Sequence, residues 1–257
     1  MRNSKLSAVG VLVVSVDLEL PVDQWSTTER RALDEIAPQL VDLFDRLCIP
    51  ATWAVADPLL SAATERLQAS QIDHEIAVLG DTTWVGSQAS RGRFAGELSR
   101  RVLRARAAGL ATTTLVPVDP VDETHLDLLV KHGITAVRGP LQATAPQALR
   151  FGVWQLPATL RLPVESGWLH RAVRGLIVRS SLRRTAAGRG LFHLIVDGPR
   201  LGLAGRPALR SLERLLRYAD SRRRQHQLEA ITMSEAAARL SHTPSILPAR
   251  SVLRKAA

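Results

Sequence analysis

Cysteine is all but missing from this chain, and so are tyrosine and phenylalanine: one Cys, one Tyr and four Phe in 257 residues. A single thiol cannot build a disulfide framework, and it excludes zinc sites made from several cysteines. Cys48, between Leu47 and Ile49, is expected as a small buried hydrophobe. A long apolar run is also lacking. The best candidate, residues 6–16 behind Arg2 and Lys5, is too short to span a bilayer. It has no small-residue cleavage site and leads directly into Asp17 and Glu19, so we read it as the first strand of a cytoplasmic protein. No internal repeat is present.

Acidic residues are scarce toward one end. The net charge is +10, yet residues 170–257 hold 18 Lys or Arg against 5 Asp or Glu, which leaves −3 on residues 1–169. Such a basic third suits an acidic partner or an anionic membrane surface. No nucleic-acid motif accompanies it, because nothing around Arg183-Arg184 or Arg222-Arg223-Arg224 interleaves aromatics with the charge.

What is present is a clear alternation of strands and helices. The strongest strand signal ends at Val16 and is followed by Asp17 and Glu19, whose side chains point the same way on an extended chain. Ligands of parallel sheets bind beyond the carboxyl ends of the strands, so two acids there read as part of a site; the alternative is the start of a solvated loop. Ser26-Thr27-Thr28-Glu29 has the form of a capping box, and Ile36, Leu40, Leu43 and Leu47 follow at helical spacing, which predicts a helix over 27–47. The pattern continues with strands near 50–55, 73–79, 112–116 and 134–138 and helices near 57–69, 92–108 and 119–131. Beyond Gly139 it loosens: one or two short strands over 153–162, a basic helix over 168–184, a strand over 191–196, a helix over 207–224 and a last strand and helix over 228–240.

Crossovers of this length imply parallel pairing and right-handed units. The expected fold is α/β, a closed or partly closed irregular (β/α)7–8 barrel over residues 1–240, with its site where the strands end. The basic tail, 241–257, has little periodicity and is expected to be poorly ordered.

Several stretches in order resemble the NodB-homology polysaccharide deacetylases, the fourth carbohydrate esterase family. Ser15-Val16-Asp17-Leu18-Glu19 resembles the Asp-bearing first strand, and Ile49-Pro50-Ala51-Thr52-Trp53-Ala54-Val55 the "ATFFV" second strand. His74-Glu75-Ile76-Ala77 is similar to the "HEIA" opening of the second motif, Val137-Arg138-Gly139-Pro140 to the Arg-x-Pro motif, and Phe192-His193-Leu194 to the late "H-L" strand. Glu229 to Glu235 is similar to the closing strand and helix. The resemblance implies a metal-dependent hydrolase that removes acetyl groups from sugars. It puts the base on Asp17, the arginine that orients the base on Arg138, and the late acid on His193.

The second motif departs from that pattern. The family's "HEIASHGYSH" ends in two metal-binding histidines four residues apart, and the matching positions here are Leu79 and Thr83. Leucine has no lone pair and a threonine hydroxyl is a poor zinc ligand. The metal carboxylate falls on Leu18 or on Glu19. The expectation is therefore a degenerate relative without the zinc site and without a cofactor, binding a saccharide or a partner through the old cleft. Asp17, Glu19 and Asp81 could instead gather a harder divalent ion.

The late strand also departs, with Asp197 where a subgroup of the family carries a second histidine. Glu19, Asp81, Trp84 and Trp25 are the candidate substrate contacts, the two tryptophans because they lie in loops where a sugar face could stack. His74 is expected to be structural, and His125, His132, His170, His226 and His242 to serve at the surface or as caps. Two other readings are kept: an active hydrolase with an altered or absent metal using Asp17 and His193, and a scaffold whose basic third is the working surface.

Overall fold

The first strand, β1 (Gly10–Asp17), is buried along all of its length, because partners occupy both of its edges. Around it the computed structural model describes residues 8–18, 26–58, 62–86, 88–141, 145–162, 168–188 and 190–242. In chain order the elements are α1 (Thr27–Arg46), β2 (Thr52–Val55), α2 (Ala62–Ala69), β3 (Glu75–Gly80), α3 (Arg91–Ala107), β4 (Thr114–Pro117), α4 (Leu126–Lys131) and β5 (Ala136–Leu141). Then come β6 (Gln147–Ala148), β7 (Trp154–Ala158), β8 (Leu160–Leu162), α5 (Trp168–Gly188), β9 (Leu191–Asp197), α6 (Gly198–Arg224), β10 (Leu228–Ile231) and α7 (Met233–His242).

Nine strands follow one path, β6-β7-β5-β4-β3-β2-β1-β9-β8, and β10 pairs with β1. All pairings are parallel except that of β6 with β7. Strand β9 follows β1 from Val11 to Asp17. The opposite edge is shared, β10 taking Gly10 to Val13 and β2 taking Ser15 to Asp17.

The sheet is a curled half-barrel, which corrects the closed-barrel form of the expected fold. Strands β7 and β8 are one stretch of chain interrupted at Thr159; β7 pairs with β5 and β8 with β9. The two arms of the sheet therefore come together where β7 passes into β8. Thr159 N–H donates to the His193 carbonyl at 2.8 Å, and the Thr159 hydroxyl accepts from His193 N–H at 3.1 Å. Among the described residues no ladder joins β7 to β9. Pro157, inside β7, has no N–H to contribute one.

Three packed regions hold the fold. Outside the sheet, Leu33, Leu40 and Phe44 of α1 and Leu212 and Leu216 of α6 cover β1, β2 and β9. Phe94, Leu98 and Val102 of α3 cover β3 to β5 together with Leu126 and Leu129 of α4. Inside the curl, Val11, Val13, Ala54, Ala77, Leu79, Val116 and Leu156 meet Met233, Ala236 and Leu240, so α7 stoppers the end where the strands begin.

Glu75 anchors that stopper. Its buried carboxylate accepts from the hydroxyls of Thr52 (2.8 Å) and Thr114 and from Ser234 N–H at 3.0 Å, at the first turn of α7. Burial raises its pKa, and these donors oppose the rise.

Local chemistry explains most element ends. The expected capping box is complete: Ser26 accepts from Glu29 N–H, and Glu29 returns to Ser26 N–H at 3.0 Å. Cys48 corrects its expectation, being exposed. It takes a left-handed backbone (φ 48°) as the chain leaves α1, which turns the thiol outward. His125 also departs from the surface role, since it is buried and stacked on Phe94 with ring centroids 4.8 Å apart.

Helix α6 begins at Gly198, nine residues before the expected start, with a kink at Gly205 (φ 67°, ψ −161°) ahead of Pro207. Asp57, just beyond β2, forms an ion pair with Arg104 of α3. No helix among the described residues is long and apolar enough to cross a membrane. Beyond His242 the expected disordered tail lies outside the described residues.

Candidate functional site

Side chains alternate across a strand, and register partners in parallel strands share a face. Val13, Ser15 and Asp17 therefore look into the curl beside His193, Ile195 and Asp197, their partners on β9. On the far wall Arg138 looks in beside Leu156. The inward groups nearest the strands' carboxyl ends are thus Asp17, Asp197 and Arg138, with Arg161 from β8.

Asp17 and Arg138 do converge. Arg138 Nη1 donates to Asp17 Oδ1 at 2.5 Å, with the arginine side chain 3% and the aspartate side chain 11% exposed. Arg161 Nη2 stands 4.0 Å from the other oxygen, Oδ2. A carboxylate this deep is retained because cations hold it; removing one strands a charge.

Asp197 ends β9 and caps α6, accepting from Arg200 N–H at 3.1 Å with Arg200 Nε at 3.6 Å. Burial raises its carboxyl pKa above the ordinary value and the nearby Asp17 charge adds to the rise, while the bond from Arg200 N–H opposes it.

His193 lies one layer deeper and is fully buried. Its Nδ1 is 3.1 Å from the Pro157 carbonyl and its Nε2 is 3.0 Å from the Ser15 hydroxyl. A carbonyl only accepts, so Nδ1 carries the hydrogen and Nε2 accepts from Ser15. Burial, helped by the positive charge of Arg138, pushes the pKa down to about 3. His193, expected as the late acid, is thus a neutral, doubly hydrogen-bonded residue in the core, one layer below Asp17 and Asp197.

Asp81 faces the helical shell. Its Oδ1 accepts from Thr83 N–H (2.8 Å) and the Thr83 hydroxyl (2.5 Å), and Oδ2 lies 3.4 Å from Arg101 Nη2 of α3. Trp84 is 0% exposed, packed against Phe94 with Arg101 over its ring at 5.1 Å. Both expected substrate contacts are thus buried against α3. Glu19 and Trp25 lie outside the described residues. His74 is structural as expected, accepting at Nδ1 from Ala51 N–H and meeting Asp45 at Nε2.

Crystal structures described as polysaccharide deacetylases from Mycobacterium smegmatis and Pseudomonas aeruginosa PAO1 each superpose with a TM-score of 0.66, at 16% and 14% identity. The first match covers 90% of this chain and 89% of the other; the second covers 89% and 90%. The chain has a polysaccharide deacetylase-like fold. A 4-α-glucanotransferase from Thermococcus litoralis is also similar, with a TM-score of 0.61 at 12% identity, covering 90% of this chain and 40% of that one. No protein-family model and no curated protein matches the sequence.

A deacetylase-like fold raises the question of a metal, and the donor set here does not fit a transition metal. Leu79 is 2% exposed and belongs to the apolar interior, and the Thr83 hydroxyl donates to Asp81. Leu18 is buried and apolar. Asp17 is held by Arg138, and Asp81 by Thr83 and Arg101, in separate networks. No group of three or more metal-ligating side chains occurs among the described residues.

Two participants were not among the expected site residues, Arg161 and Asp197. The signal for Asp197 was its spacing: four residues after His193 on a strand, it shares that residue's face. Arg161 carried no such signal, since its place depends on where the chain leaves β7.

Proposed function

We propose that this chain is a deacetylase-like, carbohydrate-binding protein of the cytoplasm that holds a saccharide at the mouth and performs no zinc-dependent hydrolysis there. The observation that carries the reading is the buried Asp17–Arg138 pair in a site whose two imidazole positions are Leu79 and Thr83. Asp17 keeps an acceptor edge toward Arg161, and Asp197 offers a second carboxyl beside it. Sugar hydroxyls pair well with such fixed carboxylates and guanidiniums.

The test is calorimetric binding of acetylated oligosaccharides, neutral and acidic, with acetate release followed in parallel with and without added zinc. Saccharide binding that weakens in Asp17→Asn, with no acetate above background in either condition, supports the proposal. Zinc-stimulated acetate release abolished by Asp17→Asn would refute it.

One observation favours a second reading, a metal-free hydrolase. Asp17 and Asp197 are register partners in different environments, the first paired with a cation and the second shifted toward its protonated form. A carboxylate held by a cation, beside one that burial shifts toward its protonated form, suits a base and a proton donor. In that reading Asp197 takes the place assigned to His193. Acetate release without metal, lost in Asp197→Ala, would favour it.

A further inference from the structure

Sequence reading singled out Arg222, Arg223 and Arg224 as a basic cluster, but the fold divides them. Arg223 and Arg224 close on the buried Asp220 of their own helix at 2.7 and 2.9 Å, and Arg223 also donates to the Leu47 carbonyl. The open charge lies elsewhere on α6. Arg206, Arg210 and Arg214 are exposed, and among the described residues no carboxylate lies within ion-pair distance of any of them. Glu213, the nearby acid, is taken by Arg217 at 2.8 Å and Arg46 at 3.5 Å.

These arginines form an ordered row. Residues 206, 210, 214, 218 and 222 are each four apart, so they make one inclined ridge with steps of about 6 Å and a length of about 24 Å. Tyr218 is its fourth member. Arg222 donates to the Tyr218 hydroxyl and lies over its ring, and Arg179 of α5 covers the same ring at 5.8 Å. Arg183, one turn along from Arg179, is exposed as well. Helix α6 starts at the residue after Asp197 and runs toward the opposite end of the sheet, where β10 begins. The ridge thus leads away from the mouth along the outer wall.

We infer that the saccharide bound at the mouth belongs to an acidic polysaccharide, whose continuing chain lies along the ridge of Arg206, Arg210, Arg214 and Arg222. The inference rests on the carbohydrate-binding reading and adds the charge and length of the ligand. A line of guanidiniums with no carboxylate partner among the described residues suits a linear polyanion carrying carboxylate or sulfate groups. A bilayer is disfavoured because Leu203 is the one large apolar side chain exposed on α6, its other exposed uncharged residues being Ala204, Pro207, Ser211 and Ser221. A nucleic-acid strand is disfavoured because the ridge has a single aromatic ring, Tyr218, and two arginines already lie over it.

The experiment compares binding of polygalacturonate oligomers with that of neutral dextran oligomers of equal length. The full chain is used, with the triple variant Arg206→Gln/Arg210→Gln/Arg214→Gln and, as a control, Arg31→Gln on the exposed face of α1. The parent is expected to prefer polygalacturonate, with an affinity that falls as salt rises. The triple variant should bind it about tenfold more weakly at low salt, three exposed contacts being lost, and Arg31→Gln should match the parent.

Unchanged polygalacturonate binding by a folded triple variant would overturn the inference. So would tighter binding by the parent to phosphatidylglycerol vesicles or to oligo-deoxythymidine. If Asp17→Asn weakens binding of the neutral saccharide while the triple variant leaves polygalacturonate binding unchanged, the inference fails and the mouth reading stands. If Asp17→Asn binds both polymers as the parent does, the mouth reading fails and takes the shared ligand with it.

Discussion

Replacing His193 with glutamine should flatten the acid limb of this protein's stability curve. His193 is fully buried with its pKa pushed to about 3, whereas an unfolded histidine titrates near its ordinary value of 6.5. Between those two values the unfolded chain binds a proton that the native state refuses. Unfolding free energy then falls as the pH falls, by up to about 1.4 kcal/mol per pH unit. The loss begins below pH 6.5 and continues to about pH 3. From pH 7 to pH 5 it amounts to about 2 kcal/mol for this one residue.

Glutamine cannot titrate, yet its amide can donate to the Pro157 carbonyl and accept from Ser15, so the hydrogen bonds survive in kind. Urea unfolding at pH 7 and pH 5 in both proteins isolates the effect, because every other titrating group cancels in the difference of differences. The parent should lose about 2 kcal/mol more than His193→Gln over that interval. Equal losses, or an NMR titration of His193 centred near its ordinary value, would refute the buried-neutral assignment and reopen its candidacy as a proton donor.

Three further outcomes follow from the same geometry. Asp17→Ala should cost about 3 kcal/mol in urea unfolding by leaving the Arg138 guanidinium buried and unpaired, and adding Arg138→Met should recover much of it. Glu75→Leu should cost about 3 kcal/mol because Thr114, Thr52 and the first turn of α7 lose their shared acceptor, with exchange of α7 amide protons accelerated. Gly202→Val should lower stability by about 2 kcal/mol, since even a Cβ there would sit 2.5 Å from the Ala32 carbonyl oxygen where α6 crosses α1; an unchanged thermal midpoint would show that the two helices can part without cost.

Local signals located most elements because they are local in origin. The apolar run into β1, the Ser26–Glu29 capping box and the alternation through β5 each state a preference within a few residues. The start of α6 was misread because Gly205-Arg206-Pro207 looks like a helix opening, and here it is a kink inside a longer one. The two-residue β6 carried too little pattern to be seen. The stretches that resemble deacetylase motifs singled out Asp17, Arg138 and His193 but could not show which inward layer each residue occupies.

That layer decided the chemistry. His193 and Asp197 lie on one face of one strand, yet the first ends in the core and the second at the mouth, because the register with β1 sets their depth. Asp81 and Trp84 follow a strand and read as loop residues over a cleft, but packing by Arg101 and Phe94 of α3 turns them into the shell. The sequence by itself determined the succession of strands and helices, the absence of histidine at positions 79 and 83, and the positive charge of the last third. Only the tertiary structure decided that the sheet stays open at Thr159, that Asp17 is held by arginines from two strands, and which arginines remain unpaired. Those depend on distant residues coming together, 34 positions apart for Thr159 and His193 and 121 for Asp17 and Arg138, and no short window of sequence records where a distant partner will stand.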